Sequence, residues 1–334
     1  MQTIAIFNPE HDLCLANGDA NYVPPASALS FARKGAGIMK TLYGDNVVAV
    51  AAEDVAAVLC ADCSLVAWGW NATLVRQLCR HGVPRSLMPS DERLEAIRAL
   101  SHRRAALAAA CFVAEACHTA APTVAEACSV GKVEACLDDH CRVVLKAPWS
   151  GSGRGLRWVD GTLSETDRHW ISRIISRQGS VMVEQRRDVV IDFALEYYIG
   201  NTNNLDVLRT MQGNRSLQDE CPQVIFLGYS LFETQSGVYR GNRLLSDQAI
   251  VDCLSAYIPR QAIWQAKEAV ELWLKRNVSP VYSGPLGVDM FVYRTADGYA
   301  LNPVVEINVR HTMGHVSIAM RGETGNALFR PDVQ

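Results

Sequence analysis

The chain predicts an α/β N-terminal unit with a parallel sheet, followed by an α+β body built on antiparallel strands. Three observations carry that class. Apolar runs at residues 3–7, 47–50 and 65–68 alternate with stretches suited to helices, the pattern of a βαβ unit. Asp297-Gly298 parts two apolar runs, residues 287–293 and 304–309, as a hairpin turn does. Two longer apolar runs, residues 192–199 and 224–230, suit antiparallel neighbours in the same body.

At 334 residues the chain exceeds one comfortable core. We expect an N-terminal α/β domain over 1–100, a first subdomain with a glycine loop over 101–180, and a second with a metal site over 181–334. Forty-nine per cent hydrophobic and 20% charged residues are those of an ordinary globular protein. A net charge of −3 without a basic run argues against a nucleic-acid partner. Eleven scattered cysteines, an odd number, make no disulfide framework. The longest apolar run, residues 105–114, is too short to span a bilayer, and nothing at the start reads as a secretory signal. The expectation is a cytoplasmic protein acting on small molecules, with a homodimer compatible with it.

The first strand runs into Asn8-Pro9-Glu10-His11-Asp12, where an open α/β sheet meets its ligands; Asn8, Glu10, His11 and Asp12 are therefore candidate substrate residues. The alternative is a hydrated connector. No G-x-G-x-x-G follows, so a dinucleotide fingerprint is absent. Cys60, Cys63, Cys79 and His81 resemble a zinc set, but Cys79 continues the apolar helical face of Val75 and Leu78, and core thiols are the better reading. Ser90 caps a helix with acids in its first turn, and an alanine-rich helical stretch follows up to Pro122.

A helix over 130–140 leads to a strand ending in Lys146, then to a loop with glycine at 151, 153 and 155. Glycines let backbone N–H groups approach a polyanion, and Lys146 adds a point charge. A strand follows Gly155, not a helix, so the loop reads as a flap over phosphates or as a plain surface loop. The run 180–185 is a short strand ending in Glu184 and Gln185, either a plain strand end with solvated polar residues or a backbone edge that would suit an adenine. Residues 200–223 form a long polar loop, and Arg240 and Arg243 flank a turn with Gly237 and Gly241. Apolar spacing over 260–275 predicts an amphipathic helix. Counting out from Asp297-Gly298 sets Asp289 opposite Glu306 within one residue, with Asn308 on the face of Glu306. Opposed carboxylates in an apolar sheet are costly unless a cation lies between them, and hard oxygens favour Mg²⁺; the alternative is a solvent-facing acidic pair that needs no metal.

Lys146 with Gly151-Ser152-Gly153-Arg154-Gly155, then Val183-Glu184-Gln185, then Asp289 with Glu306-Ile307-Asn308, resemble in order and spacing the ATP-grasp superfamily. The resemblance covers about residues 100–320, and the N-terminal unit resembles the domain that precedes such a module. It implies ATP phosphates on Lys146 beneath Gly151, Ser152, Gly153, Arg154 and Gly155, adenine beside Glu184 and Gln185, and ribose near Asp192. It implies Mg²⁺ on Asp289, Glu306 and Asn308, and Arg310 near the transferred phosphate. The superfamily's first lysine has no counterpart except Arg103 or Arg104. Gly287 stands where an arginine is often found, so Arg240, Arg243 or Arg310 must supply that charge. His311 and His315 would lie near the acceptor. The implied activity is an ATP- and Mg²⁺-dependent ligase that activates a carboxylate as an acyl phosphate for an amine or thiol. A small-molecule kinase and a non-catalytic ATP-binding protein are the alternatives.

Overall fold

β1 (Gln2–Ile6) lies between β2 (Val48–Val50) and β3 (Cys63–Ala67), all parallel. The computed structural model in which this is seen describes residues 2–151, 155–200, 223–235, 237–321 and 327–330. Ser152, Gly153 and Arg154, and residues 201–222 of the polar loop, lie outside the described residues. A parallel sheet is covered on both faces, and β1 alternates accordingly. Ile4 and Ile6 pack with Val55, Leu74 and Leu78, while Ala5 and Phe7 pack with Met39, Leu42 and Trp68. α1 (His11–Asn17) and α2 (Ala26–Gly35) come first in the chain, and α3 (Ile38–Tyr43), α4 (Val55–Val58) and α5 (Ala72–Arg80) supply the helical residues among these contacts. Cys79 departs from expectation: it is exposed, because the buried face of α5 runs through Thr73, Leu74, Val75 and Leu78 and stops short of it.

α6 (Asp91–Leu100) starts where expected, with the Ser90 side chain accepting from the Arg93 amide. α7 (Arg103–Ala116) follows. A four-stranded antiparallel sheet of order β4-β7-β5-β6 comes next, from β4 (Val124–Ala127), β5 (Arg142–Lys146), β6 (Leu156–Asp160) and β7 (Val181–Gln185). α8 (Val130–Asp139) and α9 (Glu165–Gln178) close one face over Val133, Leu137, Leu145, Trp170, Ile171 and Val183.

The larger sheet has order β12-β11-β8-β9-β10-β13. Its strands are β8 (Asp188–Gly200), β9 (Gln223–Gln235), β10 (Val238–Arg243), β11 (Gly284–Thr295), β12 (Gly298–Asn308) and β13 (Leu328–Phe329). α7, α10 (Asp247–Ser255) and α11 (Arg260–Asn277) cover one face. There Ala106, Ala110 and Val113 of α7 and Ile263, Val270 and Trp273 of α11 pack in one core with Phe193, Leu195, Tyr197 and Val288. With a side-chain period of two, Asp192, Ala194 and Glu196 must face the opposite way. Packing groups two segments otherwise than chain position does: α7 belongs to the core of the large sheet, and β7, just past residue 180, is a strand of the small one. α12 (Met313–Ala319) follows β12, and its Val316 joins the core of the parallel sheet, tying the N-terminal unit to the large sheet. Among the described residues no helix is long and apolar enough to cross a membrane.

Candidate active site

A cavity of about 650 Å³ lies between the small sheet and the uncovered face of the large one. The small sheet contributes Val144, Lys146, Leu156, Trp158 and Glu184; the large sheet contributes Asp192, Ala194, Glu196, Ser230, Phe232, Asp289, Glu306 and Asn308. Each set follows from strand alternation: the residues between these point into the two helical layers.

Lys146 ends β5, is buried, and places Nζ 2.5 Å from Glu184 Oε2 across the paired strand β7. The loop after it is fixed at its stem. Arg103 Nε donates to the Ala147 carbonyl at 3.1 Å, and its Nη2 reaches Ser150 Oγ at 3.2 Å. Trp149 donates from Nε1 to the Arg98 carbonyl at 2.8 Å, beneath the Arg98 guanidinium. Gly151 lines the cavity and could carry no side chain, since a Cβ there would lie 2.0 Å from Asp12 Oδ2. Gly155 does not line the cavity; its φ of +97° makes the turn into β6. Glu184 and Gln185 both border the cavity, but the expected free backbone edge is absent there: Gln185 N donates to the Thr123 carbonyl at 3.1 Å and Arg186 N to the Arg142 carbonyl at 3.0 Å. β7 is an inner strand, which a search for a strand end alone does not reveal. Asp192 faces the cavity and accepts from Thr234 Oγ1 at 2.8 Å; burial raises its acid, against Thr234 and Lys146.

Asp289 and Glu306 are register partners, and Asn308 pairs with Gly287 one alternation further on. Asp289 titrates well above the carboxylate range, first through burial and then through Glu306 and Glu196, with Asn308 hydrogen-bonding to it. Glu306 meets Arg103 Nη2 at 3.1 Å, so one negative charge is answered from α7. A half-buried carboxylate repelled by two others is a site that a divalent cation would complete, and an all-oxygen donor set fits Mg²⁺. Of Arg103 and Arg104, Arg103 lines the cavity; Arg104 is exposed and bonds Glu126 at 2.6 and 2.7 Å.

Arg310 lines the cavity and is clamped by Asp12, Nε to Oδ1 at 2.9 Å and Nη2 to Oδ2 at 2.7 Å. Burial alone would raise the Asp12 acid, but Arg310 outweighs it and holds the carboxyl below its usual range. Arg240 and Arg243 are not brought to the cavity wall. A bulge between Tyr239 and Gly241 leaves Tyr239 and Asn242 on the wall; Arg240 is exposed and Arg243 pairs with Glu233. At Gly287 a Cβ would fall 2.8 Å from Glu196 Oε2 and 2.7 Å from Thr312 Cγ2, so no side chain fits there unless these move.

Asp12 reaches the site through Arg310, but Asn8, Glu10, His11, His311 and His315 do not line the cavity. Asn8 is spent on Gly69, donating to its carbonyl at 2.8 Å and accepting from its amide at 3.2 Å. His11 Nδ1 accepts from Asn71 at 3.1 Å, and burial lowers its pKa to about 4. His311 packs between Trp68 and Tyr43, its Nε2 2.8 Å from the Tyr43 hydroxyl, and burial lowers its pKa well below the usual value. His315 Nδ1 accepts from the Thr312 amide at 3.1 Å and closes a capping box on α12.

Glu10 is buried with Oε2 unpartnered, and burial raises its pKa to about 7 from 4.5. The folded carboxyl holds its proton more tightly than the unfolded one, so its stabilising contribution is present below pH 4.5 and lost as the pH rises through about 7. Glu10→Gln removes that loss. Its stability should gain on wild type by on the order of 3 kcal/mol across that window. His11 is common to both proteins, so urea unfolding at several pH values isolates the Glu10 effect; a constant gap would refute it.

Glu196 is the wall residue that sequence reading missed. Its signal is a lone charge inside the apolar run Phe193-Ala194-Leu195-Glu196-Tyr197-Tyr198-Ile199, on the face of Asp192.

No family model matches the sequence, and no curated protein matches it. Solved structures do. N5-carboxyaminoimidazole synthetase from Staphylococcus aureus complexed with ADP is 14% identical, covering 98% of this chain and 78% of that one with a TM-score of 0.50. A second structure of the Staphylococcus aureus enzyme gives the same values, 14%, 98%, 78% and 0.50. Biotin carboxylase from Campylobacter jejuni, as a β,γ-ATP complex, is 12% identical over 96% of this chain and 67% of that one, TM-score 0.48. The fold is the ATP-grasp fold, as the residues from Lys146 to Asn308 imply. Identities this low assign no particular member of the superfamily, and what the chain does rests on its own cavity.

Proposed function

We propose that the chain is an ATP- and Mg²⁺-dependent ligase that activates a carboxylate as an acyl phosphate for attack by an amine. The observation that carries it is the cavity itself: Lys146 on one wall faces the Asp289, Glu306 and Asn308 oxygen set on the other. Lys146 would exchange Glu184 for the nucleotide phosphates, with the stem-fixed loop above them. Glu184, Gln185 and Asp192 would take the base and ribose. Asp289, Glu306 and Asn308 would hold Mg²⁺, which when bound neutralises phosphate charge. Arg103 and Arg310 add positive charge beside that set, Arg310 oriented by Asp12. Phosphoryl transfer asks for this positioning and charge neutralisation and for no protein nucleophile. The γ-phosphoryl passes to a carboxylate oxygen with ADP leaving; the amine then forms the C–N bond as phosphate departs. All ten described cysteines are unpaired, which supports a reducing, cytoplasmic setting.

The experiment is hydroxylamine trapping. With ATP, Mg²⁺ and a panel of metabolite carboxylates, a hydroxamate should accumulate in step with ADP. ADP formation with a stable phosphoester and no hydroxamate would replace the ligase by a kinase. No ADP with any acceptor would leave a nucleotide-binding protein only.

A further inference from the structure

On β8 the cavity-facing residues are Asp192, Ala194 and Glu196. Ala194 is level with Asp289, which is level with Glu306; Glu196 is level with Gly287, which is level with Asn308. At about 3.3 Å per residue, Glu196 stands about 13 Å from Asp192 and about 7 Å past the row of the two metal acids. With base and ribose at the Glu184–Asp192 end, the row beyond the metal acids is where an acceptor would lie.

Glu196 is 1% exposed, yet lines the cavity. Its Oε1 accepts from Ser230 Oγ at 2.9 Å and its Oε2 from Thr312 Oγ1 at 2.8 Å. His315 Nδ1, 3.2 Å from Oε2, accepts from the Thr312 amide, and Nε2 lies 3.1 Å from the Tyr197 carbonyl. Among the described residues no lysine or arginine pairs with Glu196. Lys146, Arg103 and Arg310 each already face a carboxylate of their own: Glu184, Glu306 and Asp12. The carboxylate is seated against two glycines, where a Cβ at Gly314 would fall 1.8 Å from Oε1. A buried carboxylate held by neutral donors only is costly unless a cation completes it. Each oxygen keeps a lone pair to offer one.

We propose that Glu196 is the subsite for a protonated amine carried by the second substrate, so that this substrate is an amine-bearing molecule. This rests on the ligase reading and adds to it a residue and a selectivity. Ser230 and Thr312 fix the carboxylate plane, and Tyr239 and Asn242 line the same cavity from β10.

The test uses the full chain, wild type and Glu196→Gln, loaded with Mg²⁺ and a non-hydrolysable ATP analogue. The probes are the standard L-amino acids, putrescine and ammonium, each amino acid also as its N-acetyl form, read by melting temperature and calorimetry. Wild type should bind at least one amine-bearing probe and not its N-acetyl form. Glu196→Gln should weaken that binding by about 10- to 100-fold, the worth of a hydrogen bond to a charged group, while keeping the melting shift from the analogue. Ser230→Ala keeps the charge and loses one donor to it, and should weaken the probe by about 3- to 10-fold. Equal probe affinity in wild type and Glu196→Gln overturns the proposal. So does a wild type that binds no amine-bearing probe, or a Glu196→Gln protein that instead needs more Mg²⁺ for the analogue shift. Absence of any analogue shift in wild type is a different failure: it removes the nucleotide reading, and this subsite with it.

Discussion

Replacing Asp289 with asparagine is expected to cut ADP formation by about 10²- to 10³-fold while making the metal-free protein more stable. The two effects share one cause. Asp289 is half-buried beside Glu306 and Glu196, and all three carboxylates lie on the wall of one cavity. Without a cation the ionised form is repelled and desolvated, and its pKa is raised well above 3.8 by that burial first and by Glu306 next. Asparagine keeps an oxygen to accept from Asn308 and removes the charge. Because the folded acid is the weaker one, a protonated Asp289 contributes stability below the unfolded value of 3.8, and that contribution disappears as pH rises through the raised folded value. The stability advantage of Asp289→Asn should therefore be largest at alkaline pH and close in acid. Adding Mg²⁺ with ATP analogue should raise the melting temperature of wild type and leave the variant where it was. Thermal unfolding across pH, with and without Mg²⁺, checks this. A variant less stable than wild type at alkaline pH would show that Asp289 is held by protein contacts and not reserved for a cation.

That pair was legible in the sequence because the information was local. Asp297-Gly298 sets the hairpin, and counting outward brings Asp289 level with Glu306, as the register confirms. Lys146 was legible for a similar reason, as the last residue of an apolar strand before a glycine loop. The parallel N-terminal sheet and the amphipathic α11 followed from periodicity alone. What escaped depends on distant chain segments. Asp12 and Arg310 are separated by 298 positions, and nothing local to either names the other. The Asn8–Asp12 loop did lie beyond the end of a strand, but four residues of it are consumed in holding Gly69, Asn71 and Arg310 or in burial, and only Asp12 touches the machinery. Arg240 and Arg243 were read from charge, and a bulge, which composition does not reveal, decided which of their neighbours face inward. The placing of β7 between β4 and β5 likewise follows from sheet order, and it removed the backbone edge expected at Gln185.

Lys146→Ala should fail in two separable ways, and separating them tests whether this lysine serves the nucleotide or only the fold. Its ammonium lies 2.5 Å from Glu184, with the two side chains 9% and 14% exposed. Removing one partner of so buried a pair leaves a charge without an answer and costs about 3–5 kcal/mol. Removing both charges, in Lys146→Ala with Glu184→Gln, should recover most of that loss, because the desolvation penalty goes with the charge. Nucleotide affinity should behave differently. A lysine that meets phosphates supplies a charge-assisted contact, and its loss should weaken the ATP analogue by about 10- to 100-fold in the single and the double variant alike. Urea unfolding gives the first quantity and calorimetric titration of the analogue the second. If the double variant regains affinity along with stability, the single variant's weak binding was a folding defect, and Lys146 is a structural partner of Glu184. If stability returns and affinity does not, the exchange of Glu184 for phosphate is what the residue is there to make. That outcome would also explain why Lys146 lies buried at the cavity wall with a carboxylate beside it: Glu184 holds the ammonium in place for the phosphates that displace it.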